Sequence, residues 1–155
     1  MPRRNRYETN YVRIEALLGR KLSDLRMGDC IRLKAPGFMD LVCETLWPCE
    51  TTGATVLSLA HYFEQNGDLC QDPEMTVRLF HPGSIEHLAL VPSTDPKHGR
   101  AEALLFQQAI PPVYQVVYPQ PDRYRPRLRQ ELNHFLGQWL RNLEQQGHRP
   151  ADSDH

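Results

Sequence analysis

Apolar side chains recur at a helical period at both ends of the chain. Near the start they recur from about residue 8 to residue 18, and Gly19 is suited to end a helix in the left-handed conformation. Near the end one apolar stripe follows the spacing i, i+4, i+7, i+8, i+11, i+12 and i+15, made by Leu128, Leu132, Phe135, Leu136, Trp139, Leu140 and Leu143. The pattern predicts an N-terminal helix over about Glu8–Leu18 and a C-terminal amphipathic helix that Gly147 ends.

Between the two helices the period shortens to two, which is typical of β-strands. The segments that read as strands, from their alternation and the turns between them, are 30–34, 41–47, 55–63, 68–79, 85–91, 103–108 and 113–118. The third of these has apolar residues on both faces, so we predict that it is central in the sheet. Residues 101–106 are also compatible with a helix.

Asn66 and Gly67 give the clearest local signal of a turn. This dipeptide tolerates positive φ at both positions of a type I′ hairpin, so we expect it to join a strand ending near Gln65 to one starting near Asp68. Pro73 has no N–H to donate to the ladder, so we expect a bulge or an edge position where the returning strand reaches it.

Together these elements predict an α+β fold, with an antiparallel sheet of about five to seven strands and the two terminal helices packed on it. The chain of 155 residues has the size of one ordinary domain, and no long linker divides it. We therefore predict a single domain over 1–147 and a flexible tail over 148–155.

Charge and composition narrow the classes of function. The formal net charge of −1 gives no overall field that attracts nucleic acid or a membrane, so such binding would depend on a local patch. The start lacks the apolar core of a signal peptide and no apolar stretch is long enough to span a bilayer, so we predict a cytoplasmic protein with no membrane partner. Cys30, Cys43, Cys49 and Cys70 match no metal or disulfide spacing, so we expect reduced packing residues, no metal site and no cofactor.

The predicted hairpin carries several acidic and amide residues close to a histidine. The candidates for a functional hairpin are His61, Glu64, Asn66, Asp68, Asp72 and Glu74. Carboxylates beside a histidine can act as a general acid and base or bind a divalent cation, although the order here is not that of a calcium loop. The favoured alternative is a solvated turn whose Asp and Asn side chains hydrogen-bond nearby backbone groups.

A basic stretch leads into the C-terminal helix. Its candidates for binding an anion or nucleic acid are Arg123, Tyr124, Arg125, Arg127 and Arg129, with Arg3, Arg4 and Arg6 at the other end of the chain. Such arginines would hold phosphates while a tyrosine stacks on a base. Arginines at a helix start also oppose the helix dipole. The favoured alternative is therefore that salt bridges to the acidic hairpin or to another acidic surface offset this cost.

Three motifs lie along the chain: Tyr7-Glu8-Thr9-Asn10-Tyr11-Val12-Arg13 with Leu17-Leu18, Met75-Thr76-Val77-Arg78-Leu79-Phe80-His81, and Tyr118-Pro119-Gln120-Pro121 followed by Asn133, Phe135-Leu136 and Trp139-Leu140. In this order they resemble the YqiB-like family of uncharacterised bacterial proteins. Where that family tends to have acidic residues before its last helix, this chain has arginines. Residues 61–68 with Asp72-Pro73-Glu74-Met75 are similar to a second group of uncharacterised proteins, found on plasmids and integrative elements.

These observations rank three functions. No motif of the common hydrolases or nucleotide sites is present, so the leading prediction is a small non-catalytic binding or regulatory protein, an accessory factor of a mobile element that contacts another protein. The second is a nucleic-acid-binding protein that uses residues 123–129. The third is a metal-assisted enzyme that uses the acidic hairpin.

Overall fold

The computed structural model describes residues 3–151, apart from four side chains, those of residues 64, 65, 69 and 71.

The first helix begins and ends at residues whose chemistry suits those positions. The first helix, α1, spans Arg6–Leu18. Asn5 and Glu8 form a capping box at its start, which satisfies N–H groups that the first turn leaves free. Gly19 ends the helix with a φ of 68°, which glycine adopts at little cost.

Within the described residues, seven strands form one antiparallel sheet. They are β1 (Cys30–Lys34), β2 (Leu41–Thr45), β3 (Thr55–Gln65), β4 (Asp68–Phe80), β5 (Arg100–Gln108), β6 (Val113–Val116) and β7 (Arg149–Pro150). Their order across the sheet is β6-β5-β4-β3-β2-β1-β7, so strands that follow each other along the chain also pair, except where β7 joins β1. The second helix, α2, spans Pro126–Gln146 and lies between β6 and β7 in the chain.

The predicted α+β fold is confirmed, because both helices pack on one face of this sheet. The core joins Ile14 of α1 and Leu136 of α2 to alternate residues of the strands, such as Leu57 and Val77. Trp139, in the predicted apolar stripe, is 7% exposed. Burying a large apolar side chain contributes about 1.5–3 kcal/mol, so the stripe holds α2 on the sheet. Among the described residues, no helix combines the length and the apolar character needed to cross a membrane.

The predicted hairpin and the predicted central strand are both present. Asn66 and Gly67 have φ of 54° and 84° and turn β3 into β4. The register between these strands shifts between Ala60 and Tyr62, where Asp72 and Pro73 of β4 face the single residue His61 of β3, so the expected bulge lies at Pro73. β3 is fourth in the order of seven, and residues 101–106 lie in strand β5, not in a helix.

Residues 85–91, predicted as a strand, form turns instead. The cause is the buried guanidinium of Arg100, which donates hydrogen bonds to the carbonyls of Ser84, Glu86 and Val91. Carbonyl groups that point into the protein need a donor, and here one buried side chain replaces the neighbouring strand as the partner.

The chain stays packed beyond Gly147, where the sequence predicts a flexible tail. His148 is 4% exposed, and its Nε2 lies 2.8 Å from the carbonyl oxygen of Met39. Arg149 and Pro150 pair with Lys34 and Leu33 at the free edge of β1. The prediction is therefore wrong for these residues, and 152–155 lie outside the described residues.

Candidate nucleic-acid interface

A groove lined by arginines runs between the polar sides of α1 and α2. Its cavity volume is about 380 Å³. We call it the arginine groove, and its lining residues are Arg4, Arg6, Thr9, Asn10, Arg13, His134, Gly137, Gln138 and Arg141.

Helical spacing explains why these side chains meet. Arg6 and Arg13 are seven residues apart on α1, and His134 and Arg141 are seven apart on α2, so each pair lies on one face of its helix two turns apart. The helices are joined below them, where the Asn10 side chain donates to the carbonyl oxygen of Asn133 at 3.1 Å.

Gly137 allows this close approach of the two helices. A Cβ added at this position would lie 3.1 Å from Oδ1 of Asn10, which is tighter than ordinary packing permits. The carbonyl oxygen of Gly137 also accepts a long hydrogen bond of 3.5 Å from Nη1 of Arg13. The floor of the groove is therefore backbone and amide, and its walls are guanidinium groups.

The arginines of the arginine groove have no acidic partner among the described side chains. None of the described residues that line it carries a carboxylate. Among the described side chains, no ion pair within 4.0 Å joins Arg4, Arg6, Arg13 or Arg141 to an acid. A cluster of cations in a concave surface raises the local concentration of anions, even on a chain whose net charge is close to zero.

A second groove, with aromatic walls, adjoins the first. It has a volume of about 370 Å³, and we call it the aromatic groove; its lining residues are Arg6, Tyr7, Tyr124, Pro126, Arg129, Gln130 and Asn133. Arg6 lines both grooves, so the two form one continuous surface of cationic and aromatic groups.

Arg129 forms the base of the aromatic groove. Its guanidinium carbon lies 4.5 Å from the ring centre of Tyr124 and 5.1 Å from that of Tyr7. Its Nε donates to Oε2 of Glu102 at 2.7 Å. Burial alone would lower the pKa of Arg129, but Glu102, Tyr118 and Tyr7 together outweigh burial and raise it, so this cation is permanent.

Glu102 is fully buried and serves several donors at once. Its Oε1 accepts from Nε of Arg78 at 2.6 Å, and its Oε2 also accepts from the hydroxyl of Tyr118 at 2.6 Å. Burial and the hydrogen bond to Glu102 raise the pKa of Tyr118, so this hydroxyl stays a donor. The network therefore fixes Arg129, and with it the ring of Tyr124, from beneath.

The predicted basic stretch divides into two parts in the structure. Arg123 and Arg127 are exposed, as is Tyr124. Arg125 precedes the first turn of α2, and its Nη1 donates to the carbonyl oxygen of Val116 at 3.3 Å. Arg129 alone of this stretch is buried, so its role is to support the surface from within.

The acid that pairs with Arg129 in the first turn of α2 lies on β5, not on the hairpin. Among the described side chains, no ion pair joins the basic stretch to the acidic hairpin. Glu102 takes that place for Arg129. The sequence could not indicate this partner, because Glu102 alternates with two alanines and resembles a residue on the solvent face of a strand.

The acidic hairpin does not converge on a site among the described side chains. Asn66 and Asp68 are exposed and Asp72 is half-buried, whereas the predicted contribution of the Glu64 side chain lies outside the described residues. Glu74 accepts hydrogen bonds from Ser58 and Gln107 on neighbouring strands. No group of three or more described histidine, cysteine or acidic side chains is arranged to hold a metal ion.

His61 contacts the core and a backbone carbonyl instead of a described carboxylate of this hairpin. Its Nδ1 lies 2.8 Å from the carbonyl oxygen of Asp40, and its ring packs edge-on to Trp139 at 5.6 Å. Burial lowers its pKa, so the ring is held neutral as part of the core.

Cys49 departs from the predicted packing role. Its Sγ lies 3.3 Å from Oγ1 of Thr51 and 3.8 Å from Nη1 of Arg78, at a largely apolar cavity of about 260 Å³. Burial alone would raise the pKa of this thiol, but hydrogen bonds from Thr51 and Thr52 outweigh burial and lower it to about 6. Of the four cysteines, Cys43 is fully buried as predicted, and Cys30 is exposed.

The residues not predicted from the sequence as part of this surface are Arg13, His134 and Arg141. One signal was available, because Arg6 and Arg13 stand two helical turns apart on α1. That α1 lies beside the same face of α2 depends on the tertiary packing, which periodicity does not give.

The chain belongs to a family defined by a domain of unknown function (DUF6908), whose model matches residues 12–149. No protein with curated annotation and no solved structure gives a significant match. The match confirms membership of a family without an assigned activity, as the resemblance implied, while the likeness to the YqiB-like family in particular stays a prediction.

Proposed function

We propose that this protein binds nucleic acid, and that the arginine groove holds the phosphates of the ligand. The observation that carries the proposal is the set of four groove arginines, which face one cavity with no described carboxylate among them. Sequence-independent binding of nucleic acid comes mainly from such arginine–phosphate contacts.

The geometry favours a chain of phosphates over a single small anion. The groove is open and is bounded by two helices, and its cations come from both of them, at Arg13 and at Arg141. The exposed Arg123 and Arg127 flank the adjoining aromatic groove and extend the positive surface. A polyanion would contact several of these groups at once, and each guanidinium can bind a phosphate through two N–H groups.

The test is a fluorescence anisotropy titration of a labelled oligothymidylate at low salt. We expect the Arg13→Ala and Arg141→Ala variants each to bind about tenfold more weakly, which is the usual loss for one charge-assisted contact. Arg26→Ala is the matched control, since Arg26 is exposed and lines neither groove. Wild-type protein that leaves the anisotropy unchanged, or an Arg26→Ala loss equal to that of Arg13→Ala, would contradict the proposal.

A second candidate is the leading prediction from the sequence, contact with another protein. The observation that favours it is Trp47, which is 75% exposed, because tryptophan is enriched at the energetic centres of interfaces. Quantitative affinity purification can compare wild type with Trp47→Ala and with Tyr114→Ala, a control whose ring is 67% exposed. A partner lost only from Trp47→Ala supports this candidate, and equal recovery from all three proteins opposes it.

The proposed role as a mobile-element accessory rests on the similarity of residues 61–75 to proteins of plasmids and integrative elements. It predicts that genes of this family lie beside replication or transfer genes of such elements. A survey of gene neighbourhoods across the family tests it, and a consistent chromosomal setting away from such genes would oppose it.

A further inference from the structure

We infer that the ligand is single-stranded nucleic acid, and that one unpaired base is held in the aromatic groove against the ring of Tyr124. This inference rests on the proposed function, because it takes the phosphates to lie in the arginine groove. It adds where a base is bound and why the ligand must be unpaired.

The arginine groove and the aromatic groove are continuous with each other. Arg6 lines both, so a phosphate beside Arg6 would place its own sugar and base next to the aromatic walls. Those walls are Tyr7 and Tyr124, two rings that both contact the buried guanidinium of Arg129. Cations and aromatic rings therefore adjoin each other on this surface, as in proteins that bind single strands by stacking.

Tyr124 is both held in place and accessible. Arg129 lies over its ring at 4.5 Å, and Tyr118 packs beside it with the ring centres 5.7 Å apart. The side chain is nevertheless 39% exposed and lines the cavity. An aromatic ring that is already ordered loses little conformational entropy when a base stacks on it.

The ring of Tyr124 distinguishes single strands from double strands. In a duplex the faces of the bases are stacked on one another, so a protein ring reaches a base face only when the base is unpaired. Phosphate contacts alone do not distinguish the two forms. The ring at the end of the arginine groove therefore supplies a preference for single strands.

The aromatic groove offers few polar groups that could select among the bases. The amide of Asn133 is occupied, since its Nδ2 donates to the carbonyl oxygen of Arg129 and its Oδ1 accepts from the N–H of Ala103. Gln130 is the exposed amide in the lining. One flexible amide gives little reading of base edges, so we expect binding that tolerates different sequences.

The test compares three labelled ligands: an oligothymidylate, the same strand carrying abasic sites, and a duplex of equal length. Wild-type protein should bind the oligothymidylate about tenfold more tightly than either of the others. Tyr124→Ala should lose this preference, whereas Tyr124→Phe, which keeps the ring, should retain it. Tyr114→Ala is the control, since Tyr114 is exposed on β6 and lines neither groove.

The outcomes separate the two proposals. Equal binding of duplex, abasic strand and oligothymidylate by wild type, with a loss on Arg13→Ala, would overturn the inference and leave the proposed function standing. The absence of binding to all three ligands would overturn both. The abasic ligand keeps the inference falsifiable with wild-type protein alone, so the result does not depend on whether Tyr124→Ala folds.

Discussion

Arg129 on α2 and Glu102 on β5 form an ion pair of 2.7 Å, and the same carboxylate also accepts from Arg78 at 2.6 Å. Two guanidinium groups therefore share one fully buried acid. This arrangement joins the start of α2 to the sheet and positions Tyr124 above Arg129. The Glu102 carboxylate therefore supports the proposed interface from below.

Replacing Glu102 should therefore destabilise the fold. Glu102→Gln removes the negative charge while Arg78 and Arg129 stay buried, and an uncompensated buried charge costs about 3–5 kcal/mol. The free energy of unfolding from a urea titration checks this. Glu131→Gln on the exposed face of α2 is the control and should change stability by less than about 0.5 kcal/mol. A loss below about 1 kcal/mol for Glu102→Gln would show that the network is not structural.

The Glu8 carboxylate predicts how stability depends on pH. It is buried and accepts hydrogen bonds from Asn5, Ser93 and Thr94, which attach the loop before β5 to α1. Burial alone would raise its pKa, but these hydrogen bonds outweigh burial and lower the pKa from 4.5 to about 2. Because the folded-state pKa is depressed, Glu8 contributes stability above about pH 4.5, and the contribution is lost as the pH falls towards 2.

The measurement is urea unfolding across this pH range. Wild type should lose stability steadily from about pH 4.5 downwards, whereas Glu8→Gln should be less stable at neutral pH and flatter in acid. Glu131→Gln serves again as the control and should keep the wild-type profile. An identical acid profile for wild type and Glu8→Gln would show that Glu8 titrates normally.

Cys49 should be a thiolate at neutral pH. With its pKa near 6, its alkylation by iodoacetamide should reach half its maximal rate at about that pH, instead of at about 8.5 as for an ordinary thiol. Peptide mass spectrometry measures the rate at this residue. Thr51→Ala removes one hydrogen bond to the sulfur and should move the midpoint upwards. A midpoint near 8.5 in the wild type would contradict the assignment.

Gly99 should not accept a side chain. A Cβ there would overlap Cε1 of Tyr11, a residue that is 1% exposed and whose hydroxyl lies 2.8 Å from Nδ1 of His81. Gly99→Ala should therefore cost about 1–3 kcal/mol of unfolding free energy, the usual effect of overpacking. Adding Tyr11→Leu removes the ring, so the double variant should cost less than the sum of the single ones. Strict additivity would mean that the clash is relieved by other movements.

Periodicity predicted most of the fold because the elements concerned are defined by local contacts with one core. The stripe ending near Leu143 and the Asn66–Gly67 turn each depend on neighbours in sequence, and both are confirmed. The strand predicted over 85–91 is wrong because Arg100, which binds that loop, lies outside it. A side chain that replaces a neighbouring strand leaves no periodic signal.

The residues of the proposed interface could be predicted only in part from the sequence, for a related reason. The sequence indicated arginines at both chain ends and a tyrosine among them, but it gave no distance between the ends. The packing of α1 on α2 brings Arg6 beside Tyr124 and adds Arg13 and Arg141, which look like ordinary solvated positions in their own helices. Arg129, in contrast, is buried, because its side chain pairs with the buried Glu102.

The salt dependence of binding measures the phosphate contacts directly, because counterion release from phosphates gives a linear fall of log K with log salt concentration. For a single strand, each neutralised phosphate contributes a slope of about −0.7. With contacts from the groove arginines, we predict a wild-type slope of about −2 to −3, reduced by about 0.7 in Arg13→Ala and again in the double variant with Arg141→Ala. A slope near zero, or one that both variants leave unchanged, would contradict the binding of phosphates in the arginine groove.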